Sequence, residues 1–447
     1  MYSFAMNFDR PLTPWEQGLE IFNRIASSLN VVTISKIKGY ISQDSIENAL
    51  KIIEQRHPKL QYCIDGAVEQ LKFRRKSDSA IPLQILENND NDSWQKVVFN
   101  ELNQAINSNE SLWRVTLLYQ PDHNGSYLIT VMHHTISDGI SSITLHSEIL
   151  SYCGNTQKST TCPSQVSTLP VLPPVDTLFP DKYKGYRGKI RAIFWLLKLA
   201  VKQFLLKPKT LDFEKTIPVE ERKCNVIYRQ IEPNFTQKLL KRCRAEKTTV
   251  QGALCAAMLL AAAKKIQETQ ATKTKKMSLT CRSFVDLKRR LFPVISNENL
   301  GLIVSAVSTF HAIDADTDFW QLAREVKQKV EQGIERGEIF YIISMFKEIF
   351  NDLVFEPNKS PLAKKAPLTV EITNVGQVNI PVNYGSLKLE EISFMPSQGI
   401  FGGIFFAAIT TFNYRMLLNF AFSEPALSKA TIEELVDQTM FNITNAC

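Results

Sequence analysis

The stretch from Tyr127 to Cys153 limits what this chain can fold into more than any other. Tyr127-Leu-Ile-Thr-Val-Met132 is a mostly apolar, β-favouring run, which reads as a buried strand. Beyond it Ile140, Ile143, Ser147 and Leu150 recur at helical spacing. The chain therefore passes from strand to helix across His133-His134-Thr-Ile-Ser-Asp138-Gly139. Successive side chains at the end of a strand point to opposite faces, so one histidine enters a cleft while the other packs inward. An imidazole takes and returns a proton near neutral pH, which points to general-base chemistry. Asp138 is placed to fix the turn, and Gly139 to give the backbone freedom that a tight reversal needs. Adjacent histidines on a strand diverge and do not readily close a facial site, so no metal is expected.

Written as H-H-x-x-x-D-G after a strand, this stretch resembles the signature of the chloramphenicol acetyltransferase-like superfamily. That group includes condensation domains, polyketide-associated acyltransferases and alcohol acetyltransferases. The resemblance implies that His134 is the catalytic base, with His133 beside it and Asp138 mainly structural. Further boxes lie in the same order. Arg56-His57-Pro58-Lys59-Leu60 is similar to the R-H-x-x-L box of condensation domains. Val285-Asp-Leu-Lys288-Arg289-Arg290-Leu-Phe-Pro293 is similar to V-D-L-R-x-x-L-x-P, and Asn299-Leu-Gly301 matches the box that follows it. In several members the arginine of V-D-L-R pairs with the motif aspartate. Here Lys288 stands in its place, a point charge without the guanidinium fork. Lys288, Arg290 and Arg56 are the candidate partners of Asp138. Thr373-Asn374-Val375-Gly376 resembles S-N-x-G, and Thr373 and Asn374 are candidates for oxyanion or substrate contacts.

The 447 residues exceed what one core usually organises, so two domains of roughly 200 residues are expected. The fold implied is two α/β sandwich-like halves of chloramphenicol acetyltransferase type, with the active site in a tunnel at their interface. We place the halves at 1–170 and 217–447, with a crossover through 171–216 that carries a basic amphipathic segment, entered from a Ser-, Thr- and Pro-rich stretch at Gly154 to Asp181. The local signals are a capping box at Asp44–Glu47, a hairpin turn at Pro121–Gly125 and a cap at Thr431–Glu434. No internal repeat is visible in the sequence.

Fifty-two Lys and Arg against 45 Asp and Glu give a net charge of +7. That modest excess suits a phosphate-bearing donor, an acidic carrier protein or an anionic membrane, and no nucleic-acid motif accompanies it. The eight cysteines show no C-x-x-C pair and read as small hydrophobes in a reducing compartment. The first ten residues lack the pattern of a signal peptide, so a cytoplasmic location is expected. Lys182 to Lys209 carries nine Lys or Arg and no acid around an apolar face, which suggests peripheral contact with anionic membrane through 190–206.

The resemblance implies a stand-alone acyltransferase moving an acyl group from a thioester, on coenzyme A or on a carrier protein's phosphopantetheine, to a hydroxyl. No permanently bound cofactor is expected. Two alternatives stay open. One is a free-standing condensation enzyme that forms an amide, and the other is a catalytically silent docking protein of the same fold.

Overall fold

The computed structural model describes residues 9–76, 81–87, 93–120, 124–156, 166–269 and 276–447. The start of the chain, most of the expected hairpin turn at Pro121–Gly125, and Cys162 and Pro163 of the Ser-, Thr- and Pro-rich stretch lie outside them. The chain divides into two compact units. One takes residues up to Leu178 together with Leu291–Ile303 and Gln377–Ser397, and the other takes Phe179–Arg290, Val304–Gly376 and Gln398–Cys447. The sequence reading placed 217–447 wholly in a second half. Two segments of that half instead belong to the first unit, because Leu387–Pro396 pairs antiparallel with Val31–Lys38, a partner distant in sequence.

In the first unit, helix α1 (Pro14–Ala26) begins at a true capping box. The Thr13 hydroxyl accepts from the Glu16 N–H, and the Glu16 carboxylate accepts from the Thr13 N–H. Strand β1 (Val31–Lys38) leads to α2 (Gln43–Arg56), whose cap is Ser42 accepting from the Ser45 N–H. The box read at Asp44 therefore starts two residues late. Strands β2 (Leu83–Glu87), β3 (Trp113–Tyr119) and β4 (Gly125–Met132) follow, then helix α3 (Gly139–Thr156). The six-stranded sheet runs Asn383–Tyr384, Leu387–Pro396, β1, β4, β3, β2. β4 is antiparallel to both neighbours, with Met132 opposite Val31 on one side and Trp113 on the other. The strand that leads into the motif is thus held from both edges.

Helix α3 is pinned to this sheet by a buried polar contact. His146 reaches Ser35 of β1 through Nδ1 and Thr130 of β4 through Nε2, both at 2.8 Å. Burial pulls its pKa down to about 3, so the ring is neutral and each nitrogen is matched to a hydroxyl. Near the helix end, a Cβ on Gly154 would lie 2.0 Å from the Tyr384 carbonyl oxygen. Only glycine lets the helix come that close.

The second unit begins with helix α4 (Gly185–Leu206) and strand β5 (Lys223–Ile231). Next come helix α5 (Val250–Thr269), strands β6 (Met277–Asp286) and β7 (Val304–Ile313), helix α6 (Phe319–Glu335) and strand β8 (Val370–Gln377). It closes with β9 (Phe405–Phe412), β10 (Arg415–Glu424) and helix α7 (Lys429–Ala446). Its sheet runs β7, β6, β8, β9, β10, β5. The core gathers Leu254, Met258, Trp320, Phe405, Phe420 and Leu435 around α5, whose alanines and Gly252 let α6 approach closely. The cap of α7 is Ser428, accepting from the Thr431 N–H, three residues before the box read at Thr431. Among the described residues no single helix is long and apolar enough to cross a membrane.

Candidate active site

The two histidines, just beyond the end of β4, part from one another. His133 is buried, and its Nε2 lies 3.0 Å from the Glu20 carboxylate on α1. Its Nδ1 lies 2.7 Å from the Thr135 hydroxyl. Burial alone would raise the pKa of Glu20, but His133, Ser108 and Arg24 around it outweigh that and hold it down. His133 is thereby tied to α1, and both its ring nitrogens face groups of its own unit.

His134 is partly open to solvent. Its Nδ1 is 2.6 Å from the Ser137 carbonyl oxygen. A carbonyl only accepts, so Nδ1 carries the proton and Nε2 keeps its lone pair. Burial lowers the pKa of the ring more than the Ser137 carbonyl and the Asp138 charge raise it. Near neutral pH the side chain is therefore a neutral imidazole with a basic Nε2.

Asp138 is buried and caps α3. Its carboxylate accepts from the Ser141 N–H at 2.8 Å and from the Ser141 hydroxyl at 2.9 Å, while its own N–H donates to the Ser141 hydroxyl at 3.0 Å. The reciprocal pair acts as a capping box in which serine stands where Glu or Gln is usual. Gly139 does not need the left-handed backbone that the sequence suggested. Its φ is ordinary, and the missing Cβ instead admits the Phe394 ring, which a Cβ would meet at 2.5 Å.

The candidate partners of Asp138 divide. Arg56 is committed elsewhere, to Glu148 on α3 at 2.8 Å, to Glu298 at 2.6 Å and to the Ser167 carbonyl at 3.0 Å. Arg290 is exposed and donates to the Asp286 carbonyl at 2.9 Å. Arg56, in the same unit as Asp138, is therefore not the partner expected of it, because Glu148, Glu298 and the Ser167 carbonyl claim its guanidinium. Lys288 lies in the second unit with its side chain wholly buried, 3.8 Å from the Asp286 carboxylate.

What sequence reasoning missed is the other half of the R-H-x-x-L box. His57 joins Arg56 on Glu148, with its Nε2 at 3.0 Å, so the box grips the helix that follows the motif. Lys59 is buried and senses the negative charges of Glu16 and Asp138. Burial pulls its ammonium down to about 8, with Arg10 adding to that and the two carboxylates opposing it. A lysine at a 3-10 turn gave no signal in the sequence, because its partners come from α1 and from the motif itself.

Thr373 and Asn374 lie on β8, in the second unit. The strand runs through both, to Gln377. The Asn374 side-chain oxygen accepts from the Gly376 N–H at 2.8 Å, which leaves its NH2 as the donating end. Among the described residues no three His, Cys, Asp or Glu side chains gather as a metal site would require.

Comparison with known proteins agrees with this architecture. Residues 220–400 match the family described as phthiocerol/phthiodiolone dimycocerosyl transferase C-terminus. A nonribosomal peptide synthetase, kk1B of Curvularia clavata, is 23% identical over 397 residues, covering 84% of this chain, while the chain spans only 3% of that protein. Polyketide synthase associated protein 5 from Mycobacterium tuberculosis superposes with a TM-score of 0.70 at 15% identity, over 98% of this chain and 99% of its own. Trichothecene 15-O-acetyltransferase from Fusarium sporotrichioides gives a TM-score of 0.75 at 12% identity, over 98% and 95%. With its two-unit α/β architecture, the chain has the chloramphenicol acetyltransferase-like fold shared by these acyltransferases, as its motifs led us to expect.

Proposed function

We propose that this protein transfers an acyl group from a thioester, carried by coenzyme A or by a carrier protein's phosphopantetheine, to a hydroxyl acceptor, and so forms an ester. The observation that carries the reading is the Nδ1–H of His134 donating to the Ser137 carbonyl at 2.6 Å, which leaves Nε2 unprotonated. Nε2 takes the hydroxyl proton as the acceptor oxygen attacks the thioester carbonyl. The tetrahedral intermediate then expels the thiolate, and the proton held on Nε2 passes to the sulfur. The imidazole ends as it began. Thr373 and Asn374 are the proposed donors to the oxyanion. Asp138 and His133 act as positioning residues, one through the cap of α3 and the other through Glu20. The likeness to a 15-O-acetyltransferase supports a hydroxyl acceptor, and the net charge of +7 suits a phosphate-bearing donor.

Amide formation is the second reading, favoured by the 84% of the chain that aligns with a peptide synthetase. The same Nε2 would then serve an attacking amine. Incubating the pure protein with acyl-CoA and acyl-carrier thioesters, and with alcohols and amines, separates the two. Ester formation supports the proposal, amide formation alone moves it to the second reading, and no transfer to either acceptor rejects both.

A further inference from the structure

Among the described residues, helix α4 shows solvent a broad apolar face. Eight of the fifteen large hydrophobic side chains exposed among the described residues lie on it, Phe194, Val201 and Phe204 among them at 61%, 57% and 74% exposure. The helix is not a loose end. Its other side is seated on the second unit through buried Gly188 and Ala192, with Trp195 reaching Tyr341 of the helix Glu338–Ser344 at 6.2 Å between ring centroids. At ~100° per residue, Ile193, Phe204, Leu197, Val201, Phe194 and Leu205 fall within an arc of about 120°. Cations border that arc. Arg187, Arg191, Lys198 and Lys202 follow it on one side, and Lys189 and Lys207 on the other, with no acid between Lys182 and Lys209.

We propose that α4 is a membrane-surface helix that docks on anionic lipid. An apolar strip sinks into the acyl boundary, and basic residues at its margins meet the headgroups. Charge decides the occupant. A protein partner covering the same strip would be met by six cations and no acid, so it would need a matching acidic rim, which an anionic bilayer offers at every point. Lys202 leans inward, with its ammonium 4.5 Å from the Phe310 ring centroid, so the outer cations carry the contact. The proposal does not depend on acyl transfer, and binding is read without turnover.

The test is co-sedimentation of the whole chain with phosphatidylserine/phosphatidylcholine vesicles and with phosphatidylcholine vesicles alone, across ionic strength. Wild type is expected to pellet with the anionic vesicles only, and less at high salt. Phe194→Ser/Leu197→Ser/Phe204→Ser removes exposed apolar groups and should lose binding with an unchanged circular dichroism spectrum. Arg187→Glu/Lys198→Glu should weaken binding ~30-fold or more at low salt. Wild type left in the supernatant, or either variant binding like wild type, overturns the proposal. So does a concentration-dependent dimer that the triple variant dissolves, since the face would then be covered by a second copy.

Discussion

Two hairpins in this protein each lead into a helix, and only one of the two links carries histidines. In the first unit β3 and β4 precede α3, with sheet neighbours in the order β1, β4, β3, β2. In the second unit β9 and β10 precede α7, and the order β5, β10, β9, β8 repeats the arrangement. Both helices are capped from the residue just before them, by the Asp138 carboxylate on the Ser141 N–H and by the Ser428 hydroxyl on the Thr431 N–H. The links differ. Residues 133–138 make a six-residue link, and 425–428, Pro-Ala-Leu-Ser, a four-residue one. The platform belongs to the fold, whereas the proposed chemistry rests on a longer link with a carbonyl facing one imidazole and a carboxylate facing the other.

The largest effect that would sharpen this contrast is on turnover. His134→Ala should lower acyl transfer by about 10²–10⁴-fold while leaving the protein folded, as loss of a positioned general base does. Near-normal turnover in a folded variant would make the two links equivalent. Next comes the support under the longer link. Glu20→Ala strands His133, Ser108 and Arg24 around a buried gap, so unfolding in urea should show a loss of about 3 kcal/mol. An unchanged midpoint would mean that α1 does not hold the motif. The smallest effect concerns the caps. Ser428→Ala should cost about 1 kcal/mol of stability and leave turnover alone. Asp138→Asn should lower stability and turnover together, because its cap also sets the turn that carries His134. If Asp138→Asn shifts only the pH profile, the aspartate tunes the base rather than holding the turn.

Much of the first unit's site was legible in the sequence. Apolar and helical patterns bracket the motif, and the motif marks His134 as the candidate base, because the residues of the candidate site are contiguous there. Partners that arrive from far along the chain left no trace. Glu20 lies 113 positions before His133, and nothing in the amphipathic pattern of α1 marks it as a buried anchor. Arg56 shows the reverse error, since its box was recognised but its acceptors, Glu148 and Glu298, were invisible until the helix and loop were folded. The caps at Ser42 and Ser428 were misread because several Ser, Thr and Asp lie within three residues, and backbone geometry alone selects among them. The repeated hairpin–helix pattern was hidden for a simpler reason. Two links that share only a serine, Ser137 in one and Ser428 in the other, can close the same topology.

The most direct measurement on the central claim, that His134 acts as a neutral base through Nε2, is the pH dependence of kcat/KM for acyl transfer. Protonating Nε2 switches the base off, so activity falls as pH falls through the pKa of the ring. Burial sets that pKa below the ordinary 6.5, so the account predicts a rate that is level near pH 7, with an acid limb centred below 6.5. A limb centred at or above 6.5, or the same limb persisting in the residual activity of His134→Ala, would contradict it.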